Sequence, residues 1–294
     1  MNSHALLYSM ISVMVFFWSG NYIVGKIALR EIPPLLLAGL RISLAGSLMV
    51  PVYWWEHRNK KESWDRGDVP LLIGLGVFGV ALNQLFFVLG LNRTSVAHAS
   101  IIIGLTPVIV LLMASARGQE HVTTPKLAGM FIALTGVALL KLLEVKPPGG
   151  GGPTWAGDGF VLLAVTAFAL FTVYGKGATL RHSSITVNAF AYIGAALFLA
   201  PITLWESRNF SFARVSLGGW ASVIYMAAFP SVLCYLIYYY ALTHMQPSRV
   251  SAFNYLQPPV VTLMGIVFLG EHITTALVLS GLVIFAGVWL AERG

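Results

Sequence analysis

The sequence predicts an all-α membrane protein: ten transmembrane helices arranged as two inverted five-helix repeats. Three observations lead there. The 294 residues are 57% hydrophobic and only 10% charged, where a soluble domain carries about 25% charged residues. Apolar runs of the roughly 18–20 residues needed to cross a bilayer recur along the chain, and such runs must be helical because lipid offers the backbone no hydrogen-bond partners. The chain also repeats itself about 151 positions apart, Glu120-His121-Val122-Thr123-Thr124 returning as Glu271-His272-Ile273-Thr274-Thr275. At that offset Pro107 meets Pro258, Ser100 meets Ser251 and Gly136 meets Gly287; one residue shorter, Gly25-Lys26 meets Gly175-Lys176. Five spans per copy is an odd number, so the second copy enters the membrane from the opposite side, a mark of carriers built from repeats.

The first apolar run, Ala5 to Val24, has no basic flank before it and no small-residue cleavage site after it, and is expected to be a retained span. Spans are expected near 5–28, 34–54, 69–91, 94–115 and 124–143 in the first repeat, residues 1–143. The second repeat, residues 156–294, is expected to span near 156–180, 184–205, 216–241, 247–269 and 274–291. Residues 144–155 form the connector, where Pro147-Pro148 precede Gly149 to Gly152, a flexible composition suited to a join between repeats. Breakers and charges divide the other spans: Arg30 to Pro34, Glu56 to Asp68, Asn92-Arg93 and Arg117 to Pro125.

With the N-terminus inside, ten Lys and Arg fall on the cytoplasmic face and seven on the other, with Arg41 inside a span; this bias favours both termini in the cytoplasm. The net charge of +7 therefore reflects topology, with no nucleic-acid partner implied. The expected partners are the lipid bilayer and a small-molecule substrate. Cys234 is the single cysteine, cannot form an internal disulfide, and reads as a small core residue.

Within the spans, Pro107 and Pro258-Pro259 each remove a backbone hydrogen bond, so both helices should kink or open and could line a path. Trp18, Asn21, Tyr22 and Gly25 share one face of the first span through steps of three and four. Asn83, Gln84 and Phe87 do the same in the third, with repeat counterparts Cys234, Tyr235 and Tyr238. The fourth span offers His98 and Ser100, the ninth Asn254 and Tyr255. An amide facing lipid is costly, so these side chains should face protein or water. They are candidates for substrate binding, or alternatively hydrogen-bond the helices together. Gly25, Gly175, Pro107 and Pro258 are candidate hinges or kinks, the two glycines alternatively allowing close helix approach. Lys26 and Lys176 should snorkel toward the headgroups.

Absences narrow the chemistry. None of the eleven acidic residues lies centrally in a span, where ion-coupled carriers commonly keep a carboxylate; the expectation is facilitative transport. His98 could carry a proton, but reads better as a packed or interfacial residue. Arg41 lies deep enough to need an anion or carbonyl partner, for which Glu271 is the candidate. No HExxH, Cys-x-x-Cys, nucleophile elbow or phosphate-binding loop is present, so no enzyme activity, cofactor or metal is expected.

Trp18-Ser19-Gly20-Asn21-Tyr22 with Lys26, Arg41, Gly90-Leu91 through Ala99-Ser100, and Pro107 then Glu120 repeated as Pro258 then Glu271 together carry a resemblance. Over essentially its whole length the chain resembles EamA-type members of the drug/metabolite transporter superfamily. The resemblance implies a bacterial inner-membrane location with both termini cytoplasmic. It also implies a central path lined by spans one, three, four, six, eight and nine, and export of small metabolites. Among such proteins the chain is most similar to amino-acid exporters, including those of aromatic amino acids. The expected mechanism is alternating access through a central cavity, one half rocking against the other. The alternatives are a multidrug or other metabolite carrier of the same superfamily and, from another class, a channel or membrane scaffold. Gln84 faces Tyr235 and His98 faces Arg249 across the repeat, so the path is chemically asymmetric.

Overall fold

In the computed structural model, which describes residues 3–60, 66–142, 153–270 and 272–293, the described regular elements are all helical. In chain order they are α1 (Ser3–Ala28), α2 (Pro34–Lys60), α3 (Val69–Leu91), α4 (Val96–Ala116) and α5 (Thr124–Leu142). Then come α6 (Trp155–Thr179), α7 (Ser184–Ser207), α8 (Leu217–His244), α9 (Pro247–Leu269) and α10 (Thr275–Arg293). Eight of them, all but α5 and α10, are long and apolar enough to cross a membrane. The glycine-rich stretch of the connector and Glu271 lie outside the described residues.

Local chemistry starts and interrupts these helices. Thr154, Ser183 and Ser216 cap α6, α7 and α8, each side chain accepting from the backbone N–H three residues on, as orphan donors at a helix start require. Inside α3 and α8, Gly76–Leu82 and Ala227–Leu233 are π-helical, and the two segments are repeat counterparts. Such turns loosen the regular hydrogen-bond ladder, often at functional positions. In α4 the helix breaks at Gly104 and Leu105 and restarts with Pro107 in its first turn. In α9 a 3₁₀ segment, Phe253–Leu256, precedes a restart with Pro258 in the first turn. A proline there forgoes an N–H that the first turn leaves unpaired anyway.

The repeats are inverted in space. Lys26, near the end of α1, donates to Thr94 O at 2.6 Å, and Thr94 Oγ1 donates to Asp158 at 2.7 Å in the first turn of α6. Lys176, the repeat counterpart of Lys26, lies at the far end of α6, roughly 27 Å along its axis at 1.5 Å per residue. It donates to the carbonyls of Leu242 and Met245 where α8 ends. The two lysines therefore meet repeat-related carbonyls, Thr94 O just past α3 and Met245 O just past α8, at opposite ends of the molecule.

The main interhelical pairings join one half of the chain to the other: α2 with α7, α5 with α10, α3 with α6, α1 with α8 and α4 with α9. The α5–α10 crossing rests on repeat-related glycines. A Cβ on Gly136 would meet Ile284, and one on Gly287 would meet Gly129 O at 2.5 Å together with the backbone of Ala133. Ile284 is the counterpart of Ala133, so each contact is the image of the other, and small residues let the backbones touch. Gly287→Leu should accordingly lower the melting temperature of the purified protein, overpacking costing about 1–3 kcal/mol or more. Gly159→Ala, whose added Cβ meets open space, should not. Equal melting temperatures for the two variants would contradict this crossing.

Outside, apolar side chains such as Phe131, Leu197 and Phe268 are exposed, the surface a bilayer would cover. Trp54, Trp55 and Trp205 are also exposed, near the ends of α2 and α7. Arg58 lies 4.5 Å over the Trp54 ring and Arg208 5.5 Å over Trp205, as in an interfacial aromatic belt.

Candidate functional site: a central cavity latched on one side

A narrow cavity of about 70 Å³ lies between the halves, where the loosened helices converge. Trp18, Asn21 and Tyr22 reach it from α1, Arg41 from α2, and Asn83, Gln84 and Phe87 from α3. Ile103 and Thr106 line it from either side of the α4 break, Phe168 from α6, Tyr235 from α8, and Asn254 and Gln257 from the irregular part of α9.

Four of the sequence candidates lie elsewhere. Tyr238 is fully buried behind the cavity, its hydroxyl 2.9 Å from Thr172 Oγ1. Ser100 folds back onto Ala97 O. Tyr255 lines a separate, wider space described below, and His98 sits 3.7 Å from Asp158. Gly25 and Gly175 lie inside continuous helices and serve close approach: an added Cβ would meet Leu91 in one case and the Tyr239 ring in the other.

Most of the polar lining is engaged with itself. Gln84 Nε2 donates to the Tyr235 hydroxyl at 3.0 Å, which donates to Asn83 Oδ1 at 3.0 Å, while Asn83 Nδ2 donates to Ala164 O at 2.8 Å. This chain ties α3, α8 and α6. Tyr22 OH donates to Gln257 Oε1 at 3.4 Å, and Gln257 Nε2 to Asn254 Oδ1 at 2.8 Å, tying α1 to α9. The same amides thus line the cavity and hold helices together, so the two sequence readings describe one arrangement. Trp18 is fixed by donating Nε1–H to Pro230 O at 3.0 Å. Its ring stands edge-on to Phe168 and Tyr235 at 5.7 and 6.0 Å, a favoured aromatic geometry.

Two lining groups are not satisfied in this way. Arg41 is 1% exposed and donates Nε–H to Ser231 Oγ at 2.9 Å. The π turn of α8 presents that hydroxyl: Ser231 Oγ donates five residues back to Met226 O, and Ser231 O accepts from the Tyr192 hydroxyl. Among the described residues, Arg41 Nη1 and Asn21 Oδ1 are buried without a hydrogen-bond partner and no Asp or Glu lines the cavity. Glu271, the partner expected from sequence, is outside the described residues. Sequence reasoning left Arg41 and Gln257 out of the site. Two signals were available: Arg41 has Ala191 as its repeat counterpart, a break in symmetry, and Gln257 follows Asn254 by one helical step.

The two ends of the path differ. A wider vestibule of about 540 Å³ lies beside the cavity, lined by Pro107, Val108 and Leu111 of α4, by Gln246, Ser248, Arg249 and Ala252 of α9, and by Tyr8, Glu120, Tyr255 and Trp289. It opens on the face that carries both termini. On the other face the equivalent place is bridged by Thr94 Oγ1 to Asp158, with His98 beside Asp158; the Lys26–Thr94 O link is common to both faces, since Lys176 donates to Met245 O, the counterpart of Thr94 O. The repeat counterparts of Asp158 and His98 are Tyr8 and Arg249, which border the open vestibule. One end is latched where its counterpart is open.

A second contact on the latched face joins the α1–α2 turn to α8. Ser216 donates its N–H and hydroxyl to Glu31 at 2.6 and 2.7 Å, and these bonds hold the Glu31 carboxyl below the usual glutamate range. A lowered folded-state pKa means a contribution present above the unfolded value and lost as pH falls through the folded one. Glu31→Gln should therefore lower the melting temperature at neutral pH, and the difference from the parent should vanish in acid. A difference that persists in acid would assign the effect to something other than this carboxylate.

The sequence model of the EamA-like transporter family matches residues 5–142 and 155–292. An uncharacterized transporter of Archaeoglobus fulgidus is 28% identical over 96% of this chain and 97% of that protein. A probable terminal-alkyne amino-acid exporter of Streptantibioticus cattleyicolor is 26% identical over 77% of this chain and 74% of its own length. A solved crystal structure superposes with a TM-score of 0.70 over 98% of this chain and 97% of that one, at 17% identity, a likeness of fold alone.

Proposed function

Because the chain belongs to the EamA-like transporter family, we propose that it exports small metabolites, above all neutral and aromatic amino acids, by alternating access through the central cavity. The observation that carries this reading is the pairing of a closed end with an open one around a single polar, aromatic-lined cavity. A channel needs a continuous open path, whereas a carrier needs this asymmetry. In the proposed arrangement all ten helices span a bacterial inner membrane, with both termini and the vestibule in the cytoplasm, so the state described here accepts substrate from inside. The narrow cavity suits a small metabolite better than a bulky drug. The Streptantibioticus relative, a probable terminal-alkyne amino-acid exporter, lends support to amino acids.

The test is efflux of a labelled neutral amino acid from proteoliposomes, with and without a proton gradient. Saturable efflux above that of empty liposomes, unaffected by the gradient, is expected. Gln84→Ala should lower kcat/KM by roughly tenfold, because the Tyr235 hydroxyl that shapes the lining would lose the donor that orients it. Efflux no faster than from empty liposomes across the neutral and aromatic amino acids would refute the amino-acid assignment.

A further inference from the structure

We propose that Arg41 and Asn21 form the headgroup site of the carrier, Arg41 Nη1 taking a substrate carboxylate and Asn21 Oδ1 taking an ammonium on the same molecule. This rests on the transport reading above. An ionised group taken out of water needs a counter-charge and satisfied hydrogen bonds. Around Arg41 the structure supplies the neutral hydroxyl of Ser231, through Nε, with the Tyr192 hydroxyl on the same π turn. A guanidinium has five N–H donors, and Nη1 remains unpaired among the described residues at a position 1% exposed. The anion is therefore cargo.

The site also limits the kind of anion. One guanidinium among otherwise uncharged lining residues balances a single negative charge, so a monocarboxylate fits and a phosphate dianion does not. Asn21 Oδ1, 6% exposed and equally unpaired among the described residues, can only accept, so it calls for a donor. Trp18 and Tyr235 line the same cavity, and aromatic faces attract a cation. An acceptor and π faces next to a cation match a molecule that carries both charges a short distance apart, as an α-amino acid does. The amides that look most like substrate ligands, Asn83 and Gln84, are bonded to Tyr235 instead, which leaves recognition to this pair.

The experiment measures thermal stabilisation of the purified full-length protein by the twenty L-amino acids, their carboxamides and the matching amine-free carboxylic acids. At least one amino acid should stabilise saturably, with its carboxamide roughly 10- to 100-fold weaker, the range for hydrogen bonds to a charged group. Arg41→Met should abolish the response and Arg41→Lys should restore part of it. Asn21→Ala should weaken the amino acid while leaving the amine-free acid unchanged. If Arg41→Met fails to give a monodisperse protein, the acid-against-amide comparison in the parent and in Arg41→Lys decides. Equal response to acid and amide, an undiminished response in Arg41→Met, or no response to any carboxylate overturns the assignment. Saturable transport of a compound without a carboxylate would overturn it too, yet leave the transporter reading intact; absence of any saturable transport would remove that reading itself.

Discussion

Efflux from proteoliposomes should run at least about tenfold faster when the receiving side also contains substrate than when it contains buffer alone. To pass from one face to the other, an alternating-access carrier closes both vestibules for a moment and strips water from the cavity. In the loaded carrier the Arg41 guanidinium then faces a carboxylate. In the empty carrier it faces Ser231 and, among the described residues, no counter-charge in the lining, and the effective penalty for such a bare ion is several kcal/mol. About 1.4 kcal/mol in the barrier is a factor of ten in rate, so even partial hydration leaves the empty return as the slow step. Labelled counterflow reads this directly. Equal rates with and without substrate on the receiving side would mean that the return step does not feel the charge.

The second large effect concerns the latch. Asp158→Asn should shift the resting carrier away from the state open on the termini-bearing face. Asp158 accepts from Thr94 at 2.7 Å, and Thr94 O accepts from Lys26 at 2.6 Å. A hydrogen bond to a charged group contributes about 1.5–3 kcal/mol, enough to move a two-state equilibrium by roughly 10- to 100-fold. Ala252 lines the open vestibule, so Ala252→Cys in a Cys234→Ala background reports on that side. Maleimide labelling at residue 252 should slow at least several-fold when Asp158→Asn is added. Unchanged labelling would show that Asp158 serves both states alike.

What could be read from the sequence were features governed by composition, period and backbone sterics. Pro107 and Pro258 mark where α4 and α9 restart because a missing N–H acts locally. Asn21, Asn83, Gln84 and Asn254 turn inward because lipid cannot satisfy an amide. The partner of a polar side chain is a different matter, since it depends on side chains brought together only by packing. Gln84 and Tyr235 are repeat counterparts, yet nothing in their order along the chain says that they bond to each other. Pro230 marks the π turn of α8 by the same missing N–H, yet nothing in the sequence says that the turn sets Ser231 under Arg41. For that reason the sequence shows that Arg41 needs an anion or carbonyl partner, but not that it lines the cavity with Ser231 against its Nε.

The reciprocal contacts of Gly136 and Gly287 belong to a broader interlocking of the halves that bears on motion. Rocking one half as a rigid body against the other, the expectation raised by the repeat, would pull α5 from α10, α3 from α6 and α2 from α7, the three most extensive helix interfaces. Packed cores resist such shear and switch between discrete arrangements at their weaker seams. The bodies that move must therefore each be assembled from helices of both repeats, so the boundary between duplicated segments in the chain is not the boundary between working parts in the machine.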